Sequence, residues 1–183
     1  MVNITPTLFV GLGGTGLEIL LGVRRLFHER YGTHEVPCIN YLWIDTQAKQ
    51  RTSNYYPPDH IAQKIAFQEG EVLFAEVPKS AVKEYFEHPE TYPHLFNWMA
   101  RSSYENGPDA ITEGAGQFRP FGRLAFFHNY KKIRTALVDK MDRVAAQATI
   151  QETNEGKLPF RVRPEDRKLK VQVVGSVAGG TGS

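Results

Sequence analysis

Two glycine-rich stretches lie near opposite ends of the 183-residue chain: Gly11-Leu12-Gly13-Gly14-Thr15-Gly16 and Gly179-Gly180-Thr181-Gly182-Ser183. Glycine lets a backbone come close to an anion, and a helix N-terminus adds free N–H groups and a partial positive charge. Gly11, Gly13 and Gly16 spell G-x-G-x-x-G, a pattern that serves phosphate when it joins a strand to a helix. It suits a dinucleotide fold as well, and a tight turn without ligand is a third use. In the second stretch Thr181 and Ser183 add hydroxyl donors. Gly114-Ala115-Gly116 is a third segment whose backbone can approach a ligand closely. Neither terminal stretch matches G-x-x-x-x-G-K-[ST], so no loop lysine is at hand. The charge of a bound phosphate then falls to backbone dipoles and a metal ion.

An acid belongs beside such loops. Asp45 closes the apolar run Val36 to Asp45. In a dinucleotide fold it would grip the ribose, although it lies farther past Gly16 than the roughly 20 residues usual there. Contact with magnesium or its waters is a second role, and a turn role beside Thr46 a third. Arg119 and Arg123 lie at the end of the third loop, Glu113 to Gly122, and could reach a terminal phosphate. Exposed arginine is nevertheless the ordinary state, so a surface role stands beside that one.

The elements that must position these residues follow from periodicity. Thr7 to Gly11 reads as a buried strand, and a helix follows from about Thr15 to a stop at Gly32. Val36 to Asp45 is a second strand, which makes a right-handed parallel crossover. Gln63 to Gly70 is expected as a third strand, Lys79 to Glu87 and Tyr92 to Arg101 as short helices, and Arg123 to Gln151 as one long helix. Leu169 to Ser176 is the fourth strand and runs straight into the last glycine loop. The aromatics between Glu71 and Asp109 fit a small subcore on the domain edge; a docking surface is the alternative. In a sheet of order 3-2-1-4, strands 1 and 4 are neighbours across the switch point, so the loops after them converge on one ligand. A dinucleotide fold has no use for the second loop.

Composition narrows the class. Hydrophobic residues at 41% and charged residues at 23% fit a folded domain, and 183 residues leave little room for a second independent core. A net charge of +2 argues against nucleic acid or an acidic membrane as the main partner. The single cysteine, Cys38, excludes a disulfide framework and fits a reducing cytoplasm. No run approaches the ~20 apolar residues of a membrane helix, and the N-terminus lacks the features of a signal peptide. His28 and His34 do not form H-E-x-x-H, and Ser176 and Ser183 have no ordered His/Asp partners, so neither a zinc site nor a hydrolase triad is expected.

Four motifs together resemble the tubulin/FtsZ superfamily, most closely its divergent bacterial tubulin-like members. Phe9 to Gly16 resembles the first phosphate loop, and Trp43 to Gln50 the end of the second strand. Gly114 to Gly122 resembles the loop that senses the terminal phosphate, and Gly179 to Ser183 the glycine-rich loop after the fourth strand. The resemblance implies an α/β, Rossmann-like parallel sheet of order 3-2-1-4 with helices on both faces. Residues 1–183 would be the N-terminal part of a tubulin-type nucleotide-binding domain, with an insertion at 71–109 and a surface excursion at 152–168.

GTP or GDP with Mg²⁺ is the implied ligand. Gly13, Gly14, Thr15, Gly114, Ala115, Gly116, Gly179, Gly180, Thr181, Gly182 and Ser183 would hold the phosphates, and Asp45 would sit at the metal. Self-association into filaments and GTP hydrolysis between subunits are implied for the full-length, cytoplasmic protein. Ribose contacts and activating acids would lie downstream, so this chain alone is expected to bind nucleotide weakly and to hydrolyse none. Glu18 stands where the family has an asparagine at the base. An NAD(P) or FAD module of an oxidoreductase and a non-hydrolysing scaffold are the alternatives.

Overall fold

Apolar runs bounded by glycine or acid become a parallel sheet, and the segments between them supply its two covers. A computed structural model describes residues 1–47, 53, 55, 58–100, 102, 107–116 and 118–182. In chain order the elements are β1 (Val2–Asn3), β2 (Thr7–Leu12), α1 (Gly13–Tyr31), β3 (Ile39–Asp45), α2 (His60–Ile65) and β4 (Val72–Phe74). There follow α3 (Lys79–Glu87), α4 (Pro93–Phe96), α5 (Arg119–His128), α6 (Tyr130–Ala145), α7 (Gln147–Glu155), β5 (Phe160–Arg161) and β6 (Lys170–Gly175).

The main sheet has the order β4-β3-β2-β6, every pair parallel. This is the expected 3-2-1-4 arrangement. Leu12 is in register with Ile44 on one side and Gly175 on the other, so β2, β3 and β6 end within one residue of each other. Side chains alternate between faces. Phe9, Tyr41 and Trp43 pack with Leu17, Leu20 and Leu21 of α1. Leu8, Val10, Leu42 and Ile44 pack with Ile133, Leu137 and Met141 of α6. Each fully buried leucine contributes about 1.5–3 kcal/mol, so α1 is held to the sheet by burial rather than by its own propensity. Gly11 and Gly16 make that approach close: a Cβ on Gly16 would lie 2.6 Å from the Gly11 carbonyl carbon.

A buried cation locks the α1 cover. Arg24 is fully buried, donates to the carbonyls of Ile65 and Ala66 at 3.0 and 3.1 Å, and pairs with Glu71. Its guanidinium lies over the Tyr41 ring at 4.4 Å and the Phe67 ring at 4.1 Å. Burial pulls its pKa down and Glu71 opposes the shift.

Four sequence expectations shift. Gln63 to Gly70 is not a strand: α2 takes Gln63 to Ile65, and a 3-10 turn spans Glu69–Glu71 before β4. Asp59 explains this, since its carboxylate caps α2 by accepting from the N–H groups of Ile61 and Ala62. The long helix is three. Asn129 ends α5, with its amide donating to the carbonyls of Glu76 and Ala125, and Ala146 adopts an extended backbone between α6 and α7. Of Tyr92 to Arg101, only Pro93–Phe96 is α-helix among the described residues. The 152–168 excursion is anchored, because β5 pairs in parallel with β1 and Phe160 and Val162 are buried.

The 71–109 segment opens with β4 and continues into its own cluster, where Val82, Tyr85, Leu95 and Met99 pack on Phe121 and Leu124 of α5. Among the described residues, no helix is long and apolar enough to cross a membrane.

Asp59 also pairs with Arg25 at 2.7 Å, and this bond with its two cap donors lowers its pKa to about 2. A depressed carboxylate pKa adds stability above the unfolded value of about 3.9, and that stability is lost as pH falls through the folded pKa. Asp59→Ala is therefore expected to melt below the wild type at neutral pH. The gap should close between about pH 4 and pH 2. Thermal melts across that range test this, and a gap independent of pH would refute it.

Candidate functional site

The neighbouring ends of β2, β3 and β6 deliver three segments to one place. After β2 the chain turns directly into α1 at Gly13, whose φ of 66° lies in the left-handed region that strains other residues. The buried Trp43 indole donates to the Gly13 carbonyl at 3.0 Å and fixes the helix start. The first-turn N–H groups of α1 have no intrahelical partners and carry the positive end of the helix dipole. No acidic side chain occupies that turn.

Asp45 ends β3 and is 8% exposed. Its Oδ1 accepts from the Thr46 and Gln47 N–H groups at 2.7 and 3.3 Å, and from the Thr181 hydroxyl at 3.2 Å. Burial raises its pKa, and these donors oppose the rise. Thr46 is 1% exposed; its hydroxyl accepts the Ala115 N–H at 2.8 Å and lies 2.9 Å from the Thr181 hydroxyl.

Past β6, the loop folds on itself through the Gly179 N–H to the Ser176 carbonyl at 3.2 Å, and joins the third segment through the Gly180 N–H to the Gly116 carbonyl at 2.9 Å. The start of α5 backs this contact, since a Cβ on Gly122 would lie 1.7 Å from the Gly180 carbonyl oxygen.

Between these segments is a cavity of about 200 Å³. Its wall brings together Gly13, Gly14, Thr15, Asp45, Gly114, Ala115, Gly116, Gly179, Gly180, Thr181 and Gly182. Ser183 lies outside the described residues. Sequence reasoning missed Thr46, Gln47, Glu113 and Ser176, which also line it. Their only cue was adjacency: two follow the strand-end acid, one precedes Gly114, and one ends the last strand.

No lysine or arginine lines the cavity among the described residues. Arg119 is exposed and stands away from the wall. Arg123 lies over the Trp98 ring at 4.4 Å and borders an adjoining apolar cavity of about 610 Å³, which shares Leu12, Thr46, Thr181 and Gly182 with this wall. The wall is thus mostly glycine backbone and hydroxyls, a lining that can meet an anion through the unpaired N–H groups at the start of α1. It also suits a hard cation. Among the described residues no three His, Cys, Asp or Glu side chains cluster; the wall offers the carboxylates of Asp45 and Glu113, with the hydroxyls of Thr46 and Thr181 beside Asp45. Magnesium binds in this way, through one or two carboxylates plus the phosphates of its partner.

Gly122→Ala should lower the melting temperature by roughly 5 °C, because the new methyl must push the Gly180 loop outward. Gly14→Ala meets nothing within 4 Å, so its melt should match or exceed the wild type. Calorimetry of the two variants checks the contrast, and equal melts would contradict it.

A family model described as tubulin like matches residues 8–183. Among curated proteins none matches the chain, and among solved structures none does.

Proposed function

Since the chain belongs to the tubulin-like family, we propose that its cavity holds the phosphates of GTP or GDP with Mg²⁺, as the nucleotide-binding part of a filament-forming GTPase. The carrying observation is that three glycine-rich segments, two from opposite ends of the chain, line one cavity with no cation of their own.

The N–H groups at the start of α1, at Gly13, Gly14 and Thr15, meet phosphate oxygens along the helix dipole. The backbone of residues 114–116 and 179–182 closes from the other sides, and the Thr181 hydroxyl, whose proton goes to Asp45, holds the last loop against the end of β3. Mg²⁺, when bound at Asp45, would neutralise phosphate charge that the backbone leaves uncompensated. At about 200 Å³ the cavity is smaller than the roughly 300–1,000 Å³ that encloses a whole small ligand. It therefore surrounds the phosphates and leaves the nucleoside outside, which fits weak binding by this chain. Filament formation and hydrolysis belong to the same reading at the level of the family. A nicotinamide dinucleotide would leave residues 179–182 without a role, although they form a wall of the cavity.

Millimolar GTP with magnesium, and tripolyphosphate with magnesium, should each raise the melting temperature, and chelating the magnesium should reduce the shift, because a ligand of the native state stabilises by mass action. NADH should give no shift. Protection by NADH but not by GTP would replace this reading with the dinucleotide one.

A further inference from the structure

The hydrogen bonds behind the cavity have a direction. Asp45 has no proton to give when ionised, so the Thr181 hydroxyl donates to its Oδ1 at 3.2 Å. With that proton spent, Thr181 Oγ1 is the acceptor of the Thr46 hydroxyl at 2.9 Å. Thr46 Oγ1 in turn accepts the Ala115 N–H at 2.8 Å. One chain of donors thus runs from the third segment, through the end of β3, into the last glycine loop, and stops on a carboxylate. Thr46 is its middle link and is 1% exposed. Among the described hydrogen bonds it is the side chain that touches both of the other segments.

We propose that Thr46 is a positioning residue. Its hydroxyl sets the Gly114–Gly116 and Gly179–Gly182 segments at one fixed separation, so that an entering polyphosphate meets donors already in place. Such preorganisation removes ordering cost from binding. A chain of bonds in one sense is also strengthened by mutual polarisation. The affinity part of this inference rests on the phosphate reading above; the loop-tying part does not.

Two substitutions separate a hydroxyl role from a packing role. Thr46→Val keeps the shape and removes the hydroxyl, whereas Thr46→Ser keeps the hydroxyl and removes the methyl. In the ligand-free protein, Thr46→Val should speed amide hydrogen exchange at Ala115 roughly tenfold, since a buried donor is left unpaired. With GTP and magnesium it should raise the half-saturating concentration roughly tenfold. Thr46→Ser should behave as the wild type in both.

Thr181→Val breaks the chain one link later and serves if Thr46→Val does not fold. It should weaken GTP binding comparably while leaving the Ala115 amide protected by Thr46. The proposal is overturned if the valine variants bind GTP as the wild type does, or if Thr46→Ser fails as Thr46→Val does. Should the wild type bind no GTP, the phosphate reading falls, and amide exchange alone decides whether Thr46 ties the loops: an unchanged Ala115 rate in Thr46→Val ends the idea.

Discussion

A parallel register in which three strands stop within one residue of each other is the constraint on which the site rests. Leu12 of β2 pairs with Ile44 of β3 and Gly175 of β6, so the next residues along each strand, Gly13, Asp45 and Ser176, lie side by side at the C-terminal end of the sheet. Because side chains alternate along a strand, a slip of one residue would exchange the faces that pack on α1 and α6. The same slip would carry Asp45 away from Thr181. The register is held by burial on both faces, with Trp43 and Tyr41 on one and Leu42 and Ile44 on the other. Core and site are therefore not separable. Trp43, at the centre of the α1-side cluster, is also the residue whose indole holds the Gly13 carbonyl.

The electrostatics follow from the absence of lysine and arginine among the described residues of the wall. A site lined by lysine would attract anions before folding was complete and would draw on a flexible side chain. Here the N–H groups of Ala115, Gly179 and Gly180 are spent on bonds that fix the loops, which leaves the unpaired first-turn N–H groups of α1 as donors for an anion. Such close backbone packing requires glycine. A Cβ on Gly180 would lie 2.5 Å from the Gly116 carbonyl oxygen, and Gly122 behind it has no more room. Asp45 and Glu113 are the acids in the wall, and a hard cation between Asp45 and a phosphate would turn one of them from a repulsive element into an attractive one.

Much of this was legible in the sequence because the signals were local. Strand-loop-helix at Thr7 to Gly32, the apolar run ending in Asp45 and the glycine loop after Val174 each carry their meaning within a few residues. The sheet order came with the Rossmann-like pattern that the four motifs implied. What stayed hidden depends on distant partners. Gln63 to Gly70 has strand-like composition, but Asp59 caps a helix there and Arg24, from α1, binds the carbonyls of Ile65 and Ala66. The break at Asn129 depends on the Glu76 carbonyl, more than fifty residues earlier in the chain. Thr46 was passed over for the same reason. One threonine after a strand-end acid is unremarkable until Ala115 and Thr181 are folded against it. Arg123 carried the opposite lesson: it is close to the loop in sequence, yet the Trp98 ring takes its guanidinium.

The central claim is that three separate backbone segments close on one anion. Amide chemical shifts followed during titration of the protein with tripolyphosphate and magnesium test it most directly. The account predicts that the amides of Gly14 in α1, of Ala115 and Gly116, and of Gly180 and Gly182 move together and saturate at one shared concentration. Shifts confined to a single segment, or segments saturating at different concentrations, would contradict it.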